Sequence, residues 1–173
     1  MKKVVLVLGG VRSGKSNYAV EYAKKFKKVV FIATAIAFDK EMKERIANHK
    51  LSRPEHWGLI EESKNISKVL PQLKDKYEIA LIDCLGLWIS NLLTDDLSDK
   101  DIQDRIDNFV KAIKKSDINV VLVSNEVGCG IVPDNLLSRR FRDLIGFANQ
   151  MLAKNADEVI VMHAGIELKI KGE

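Results

Sequence analysis

Very little in this chain could hold it together apart from an ordinary apolar core. Among 173 residues cysteine occurs only at Cys84 and Cys129. The two stand far apart with no CxxC partner, so neither a disulfide framework nor a zinc site is suggested, and both read as small buried residues. Proline is nearly as scarce: Pro54, Pro71 and Pro133 fall where loops or helix starts are expected in any case. Aromatic residues make up only 6%. The net charge of +4 and the pI of about 9.0 raise the question of nucleic acid. The lysines are scattered, however, as in "KKFKK" (24–28) and "KAIKK" (111–115), with no array of aromatics to stack bases, so they read as a solvated face. Long apolar runs are missing too. "MKKVVLVLGG" joins a positive start to an apolar stretch too short for a signal sequence or a membrane span. These absences argue against a disulfide-stapled, a membrane-inserted and a nucleic-acid-binding protein, and lead to the expectation of a cytoplasmic one. With 46% hydrophobic and 30% charged residues, the length suits one sizeable core and hence one domain over 1–173.

What the chain does have is alternation. Residues 3–8 (KVVLVL), 28–33 (KVVFIA), 78–83 (EIALID), 118–124 (INVVLVS) and 157–162 (DEVIVM) are short β-branched runs with little polar alternation, as expected of parallel strands buried on both faces. Helical periods lie between them. "SNYAVEYAKKF" (16–26) repeats Tyr18, Tyr22 and Phe26. "DKEMKERIANHK" (39–50) opens with a capping aspartate. "SDKDIQDRIDNFVKAIKK" (98–115) sets Ile102, Ile106, Phe109 and Ile113 on one stripe, and 134–155 is long and amphipathic. Strands alternating with helices imply right-handed βαβ units, a mostly parallel sheet and helices on both faces. The tail "HAGIELKIK" (163–171) predicts an antiparallel edge strand.

The most specific local signal is "VLGGVRSGKS" (7–16), in which Gly9, Gly14, Lys15 and Ser16 fit G-x4-G-K-[ST] between a predicted strand and a predicted helix. In such a P-loop the main-chain N–H groups of Gly10, Val11, Arg12, Ser13 and Gly14 can turn around an anion. The helix N-terminus adds its positive end, Lys15 reaches the outer phosphates and Ser16 can bind magnesium. The expectation is therefore an α/β, single-domain P-loop NTPase fold, RecA-like, with a nucleoside triphosphate as ligand. "IALIDC" ends in Asp83, placed either to hold the magnesium or to cap the next helix. "SNEVGCGIVP" (124–133) brings Asn125 and Glu126 out of another strand, as candidates for the acceptor or for magnesium, or as a plain turn. Ligands of open α/β sheets bind beyond the carboxyl ends of strands, so these elements should share one crevice.

Histidine is rare, occurring at His49, His56 and His163. Met42, Ile46 and His49 fall on one apolar, inward-facing stripe of helix 39–50, which suits a satisfied core histidine. Its company suggests another role: Lys50 follows at once and Arg53 closes the stretch, a cluster suited to polyphosphate. A neutral imidazole beside a nucleotide can attack phosphorus and form a labile P–N bond.

"LGGVRSGKS", "FIATA", "EMKERIANHK" with "RPEHW", "NLL" and "SNEVGCGIVPDNLLSRRFRDLIGFANQMLAKNADEV" together resemble the bifunctional adenosylcobinamide kinase / adenosylcobinamide-phosphate guanylyltransferase family of cobalamin biosynthesis. The resemblance runs in register along nearly the whole chain. It implies phosphorylation of adenosylcobinamide by ATP or GTP. GMP would then pass from GTP, through a covalent GMP-histidine, to adenosylcobinamide phosphate, giving adenosylcobinamide-GDP. By the R-I-x-x-H-[KR] spacing the guanylylated residue matches His49, with Asn48 where some members carry a second histidine. Lys15 would serve catalysis. Nucleotide contacts would fall on the P-loop, on Ala33, Thr34 and Ala35, on Lys50, Leu51, Ser52 and Arg53, on Glu61 and on Asp83; Mg2+ would fall on Ser16 and Asp83. Asp83 stands where the family often has glutamate, and Val11 where it often has alanine. Family members are trimers in which a neighbour helps shape the cobinamide site, so a homotrimer is implied. The stretch "CLGLWISNLL" (84–93) is either its contact surface or a buried core helix.

Other nucleotide-dependent classes fit less well. A GTP-dependent switch would want an NKxD-type motif and an ABC-type ATPase an LSGGQ-like one, and neither occurs. A small-molecule kinase without guanylyl transfer would share the P-loop and Asp83, and stands as the alternative.

Overall fold

The β-branched runs become strands of one seven-stranded sheet in the computed structural model, which describes residues 2–37, 39–40, 42–44 and 53–172. The strands are β1 (Val4–Gly9), β2 (Val29–Ala33), β3 (Gly58–Glu61), β4 (Ile79–Asp83), β5 (Asn119–Asn125), β6 (Glu158–His163) and β7 (Ile166–Lys171). Their order is β3-β2-β4-β5-β1-β6-β7. All neighbours pair in parallel except β7, which runs antiparallel to β6 at the edge, as the tail pattern predicts.

Each central strand is apolar throughout because both of its faces are covered. Val5, Val7, Phe31, Leu81, Val121 and Val123 turn to one side, where α1 (Lys15–Ala23) lies across them with Ala19, Val20 and Ala23. Leu6, Val30, Ile32, Ile82, Val120 and Leu122 turn to the other. There they meet α2 (Ile66–Val69), α3 (Leu85–Leu93), α4 (Asp99–Lys115) and α5 (Leu136–Asn155). Each such side chain contributes roughly 1.5–3 kcal/mol by leaving water.

The helices start where their caps allow. Asp39 accepts from the Met42 N–H at 2.7 Å, the cap expected of the 39–50 segment, whose residues 45–50 lie outside the described residues. Ser98 and Asp101 form a reciprocal capping box at α4, whose expected stripe of Ile102, Ile106, Phe109 and Ile113 is buried. The Asn135 side chain accepts from the Ser138 N–H at 2.8 Å, so α5 begins at Leu136, just inside the predicted 134–155. Neither β3 nor α2 is read from the sequence. Of the two readings of 84–93, α3 turns out to be a core helix: Trp88 is 1% exposed and its ring lies 5.3 Å from that of Phe109. Trp88 is thus unavailable as a contact between subunits.

Candidate functional site

The carboxyl ends of β1 to β5 meet at one edge of the sheet, and they carry the chain's chemistry. Val7, Phe31, Leu81 and Val123 face α1. Two residues further along each strand, Gly9, Ala33, Asp83 and Asn125 therefore turn to that same side. Glu61 joins them as the register partner of Ala33 on β3. A cavity of about 760 Å³ opens over this row, and Lys15, Ser16, Ala33, Glu61, Asp83 and Asn125 line it.

The P-loop follows β1 directly and hands the chain to α1. Gly14 has φ 95°, a left-handed backbone that side chains disfavour, and a Cβ there would stand 3.3 Å from the Gly165 Cα. Arg12 also takes a positive φ, 55°. The Gly165 N–H donates to the Ser13 carbonyl at 3.0 Å, so the turn between β6 and β7 braces the loop from behind. Lys15 donates from Nζ to the Gly10 carbonyl at 2.9 Å. Its ammonium thus lies over the mouth of the loop.

Under the cavity, α3 and the ends of β2 and β4 are tied together by buried polar groups. Thr34 Oγ1 donates to the Cys84 carbonyl at 2.7 Å and accepts from the Cys84 N–H at 2.9 Å. Asn91 Nδ2 donates to the carbonyls of Thr34, at 2.8 Å, and Ser63, at 3.1 Å. The peptide bond between Asp83 and Cys84 is cis. Burial, followed by the Asp83 carboxylate, pushes the Cys84 thiol up to about 11, against the pull of the Leu87 N–H and then of Lys15.

Of the residues expected at the site, Val11, Lys15, Ser16, Ala33, Ala35, Arg53, Glu61 and Asp83 line the cavity. The Arg53 guanidinium sits 5.2 Å from the centre of the Phe31 ring. Thr34 is fully buried, with its hydroxyl engaged by the Cys84 backbone, so it shapes the floor rather than the wall. His49, Lys50, Leu51 and Ser52 lie outside the described residues. Asn125 reaches the cavity. Glu126 turns its carboxylate to the Gly128 N–H on its own loop. Sequence reasoning missed Gly86, Ser90 and Phe141, which also line the cavity. The position of "CLGLW" just beyond Asp83 was the available signal for Gly86.

Chemically the pocket offers an ammonium for phosphate oxygens, and the oxygens of Ser16 and Asp83 for a hard cation; of the expected loop residues Gly9, Gly10, Arg12, Ser13 and Gly14 do not line it. No group of three or more His, Cys, Asp or Glu that could cage a metal is found among the described residues. That donor set suits Mg2+ of the kind shared between one or two protein oxygens and a nucleotide's phosphates.

The family model for cobinamide kinase / cobinamide phosphate guanyltransferase matches residues 5–170. The bifunctional adenosylcobalamin biosynthesis protein CobU of Escherichia coli (strain K12) is 38% identical over 97% of this chain and 99% of its own. CobU of Salmonella typhimurium gives the same figures. The bifunctional adenosylcobalamin biosynthesis protein CobP of Pseudomonas aeruginosa is 38% identical over 97% of each chain.

Proposed function

The chain belongs to the cobinamide kinase / cobinamide phosphate guanyltransferase family, and from that premise we propose that this cavity runs two successive group transfers on a cobinamide substrate. In the first, the aminopropanol hydroxyl oxygen of adenosylcobinamide bonds to the γ-phosphorus of ATP or GTP. The bond to the β–γ bridging oxygen breaks, nucleoside diphosphate leaves and the hydroxyl proton passes to solvent. In the second, the neutral imidazole of His49 bonds to the α-phosphorus of GTP and pyrophosphate departs. A phosphate oxygen of adenosylcobinamide phosphate then displaces the imidazole, giving adenosylcobinamide-GDP for cobalamin nucleotide-loop assembly. Imidazole suits this relay because it is both a nucleophile near neutral pH and a good leaving group, which a serine oxygen is not.

The observation that carries the reading is the convergence of Lys15, Ser16, Asp83, Arg53 and Glu61 on one cavity. Both transfers build charge on phosphoryl oxygens, so the same donors serve each. Lys15 holds the outer phosphates. Arg53, Glu61, Lys50, Leu51 and Ser52 supply further contacts to the nucleotide. Ser16 and Asp83 would hold Mg2+, which when bound neutralises charge on the phosphates. We treat 1–173 as one nucleotide-binding transferase domain that works in the cytoplasm as a homotrimer. No helix among the described residues is long and apolar enough to cross a membrane. Ile131, Val132, Leu136 and Leu137, exposed beside the cavity wall formed by Val127 and Phe141, offer apolar surface for a neighbouring subunit.

Incubation with Mg2+ and GTP labelled at the α or the γ position tests the scheme. The α label is expected to stay on the protein in an acid-labile bond, and the γ label to pass to adenosylcobinamide. His49→Ala should abolish the first and keep the second. Phosphoryl transfer with no protein-bound guanylate in the unmodified enzyme would return the chain to a small-molecule kinase.

A further inference from the structure

The row of strand ends contains one polar residue that the scheme above leaves without a task. Because β5 lies between β4 and β1, its last residue, Asn125, stands between Asp83 and the P-loop. It pairs in register with Gly9 on one side, while Asp83 on the other side pairs with Val123, one pleat step earlier. Alternation along β5 turns Asn125 to the α1 side, and there it lines the cavity.

Its amide oxygen has a partner, and its main chain is anchored. Oδ1 accepts from the Cys84 thiol at 3.6 Å, and the main-chain carbonyl of Asn125 accepts from Asn149 Nδ2 at 3.0 Å. Nδ2 donates to no group among the described residues. With the oxygen end turned to the thiol hydrogen, the NH2 end, which carries two donors and no acceptor, is the end left for a ligand. Gly86 makes room for this arrangement: a Cβ there would fall 2.6 Å from Asn125 Oδ1. Glu126, the next residue, is engaged by its own loop and is absent from the cavity wall.

A donor fixed between the loop that grips a triphosphate and the carboxylate assigned to its metal faces the place where the terminal phosphoryl group must lie. We infer that Asn125 is a catalytic residue of the kinase step, its Nδ2 donating a hydrogen bond to a non-bridging oxygen of the γ-phosphoryl group as that group moves from nucleotide to alcohol. This rests on the two-transfer reading. The bonds made and broken are those of the first transfer, and Asn125 neither gains nor loses a proton. A donor aimed at charge that grows in the transition state acts on kcat more than on KM. Guanylyl transfer reacts at the α-phosphorus, two phosphates along the chain from the group that Asn125 contacts, and should feel its loss less.

Asn125→Ala and the near-isosteric, uncharged Asn125→Leu test this, with γ-phosphoryl transfer to adenosylcobinamide and labelling of the protein by α-labelled GTP measured side by side. Each variant is expected to lose on the order of 10²-fold in kcat for phosphoryl transfer, the usual effect of removing one such donor. The KM for nucleotide and the rate of protein labelling should stay within about threefold, because ground-state binding and the α-phosphorus are not its targets. Gly86→Ala, which displaces the amide without removing it, should reproduce the kinase defect. If Asn125→Ala fails to fold, Asn125→Leu decides. Unchanged kinase turnover, or an equal loss in both reactions, overturns the assignment. An unmodified enzyme inactive in both assays would instead overturn the two-transfer reading, and this assignment with it.

Discussion

Thr34 is a small residue on which two active-site elements depend, since its one hydroxyl serves both polar groups of the Cys84 backbone. Thr34→Val keeps the shape but leaves the buried Cys84 N–H unpaired and the Cys84 carbonyl with the Trp88 N–H as its remaining donor. The expected cost is about 2 kcal/mol of unfolding free energy in urea, with Thr34→Ser costing less than about 1. Because Cys84 follows Asp83, the valine variant should also weaken nucleotide binding, measurable by calorimetry. The glycines, Lys15 and Ser16 of the P-loop are legible in the sequence because their function depends on neighbours within one turn. The Thr34 hydroxyl looks the same in a sequence whether it faces a ligand or a core. The partner of the Thr34 carbonyl, Asn91, lies 57 positions away, a pairing that only the folded sheet brings about.

Among the elements, α4 was legible down to its cap and its stripe, because an isolated amphipathic helix writes both into local spacing. The helix α3 was harder to read: Leu85, Trp88, Ile89, Leu92 and Leu93 are all buried, so it shows no polar face to set its period. The strand β3 is a short edge of the sequence GLIE, with neither β-branched density nor length to mark it. The cap of α4 also has a pH signature. The carboxyl of Asp101 is held below the ordinary aspartate range, first by the hydrogen bond from the Ser98 side chain and then by the Ser98 N–H. A carboxyl depressed in the folded state stabilises it at pH values above the unfolded aspartate pKa, near ~3.9. That contribution disappears as the pH falls through the lower, folded value. Glu78, lowered by the N–H groups of Lys28 and Lys27, acts in the same sense. The urea midpoint is therefore expected to fall as the pH drops below ~4, where these carboxyls take up protons. Asp101→Asn should lower the midpoint at neutral pH and reduce its dependence on acid; an unchanged acid slope would disconnect the cap from the effect.

For the molecule as a whole, a ligand that binds only the folded state must raise its stability. Mg2+ and GTP at about 100 times Kd are expected to add about 2.7 kcal/mol, a rise in Tm of roughly 5 to 10 °C for a chain of this size. Lys15→Ala should remove most of that shift in a thermal melt while leaving the ligand-free midpoint nearly unchanged. Alternation of strand and helix made the layered architecture legible, whereas the order of strands was not, because local pattern carries no information on which strands become neighbours. That order has a consequence for how the protein is made. The strand that leads into the P-loop leaves the ribosome well before its two neighbours in the sheet, β5 and β6. Until the last hairpin has appeared and its turn has closed behind Ser13, a nascent chain holds the complete phosphate-binding motif without the scaffold that shapes it.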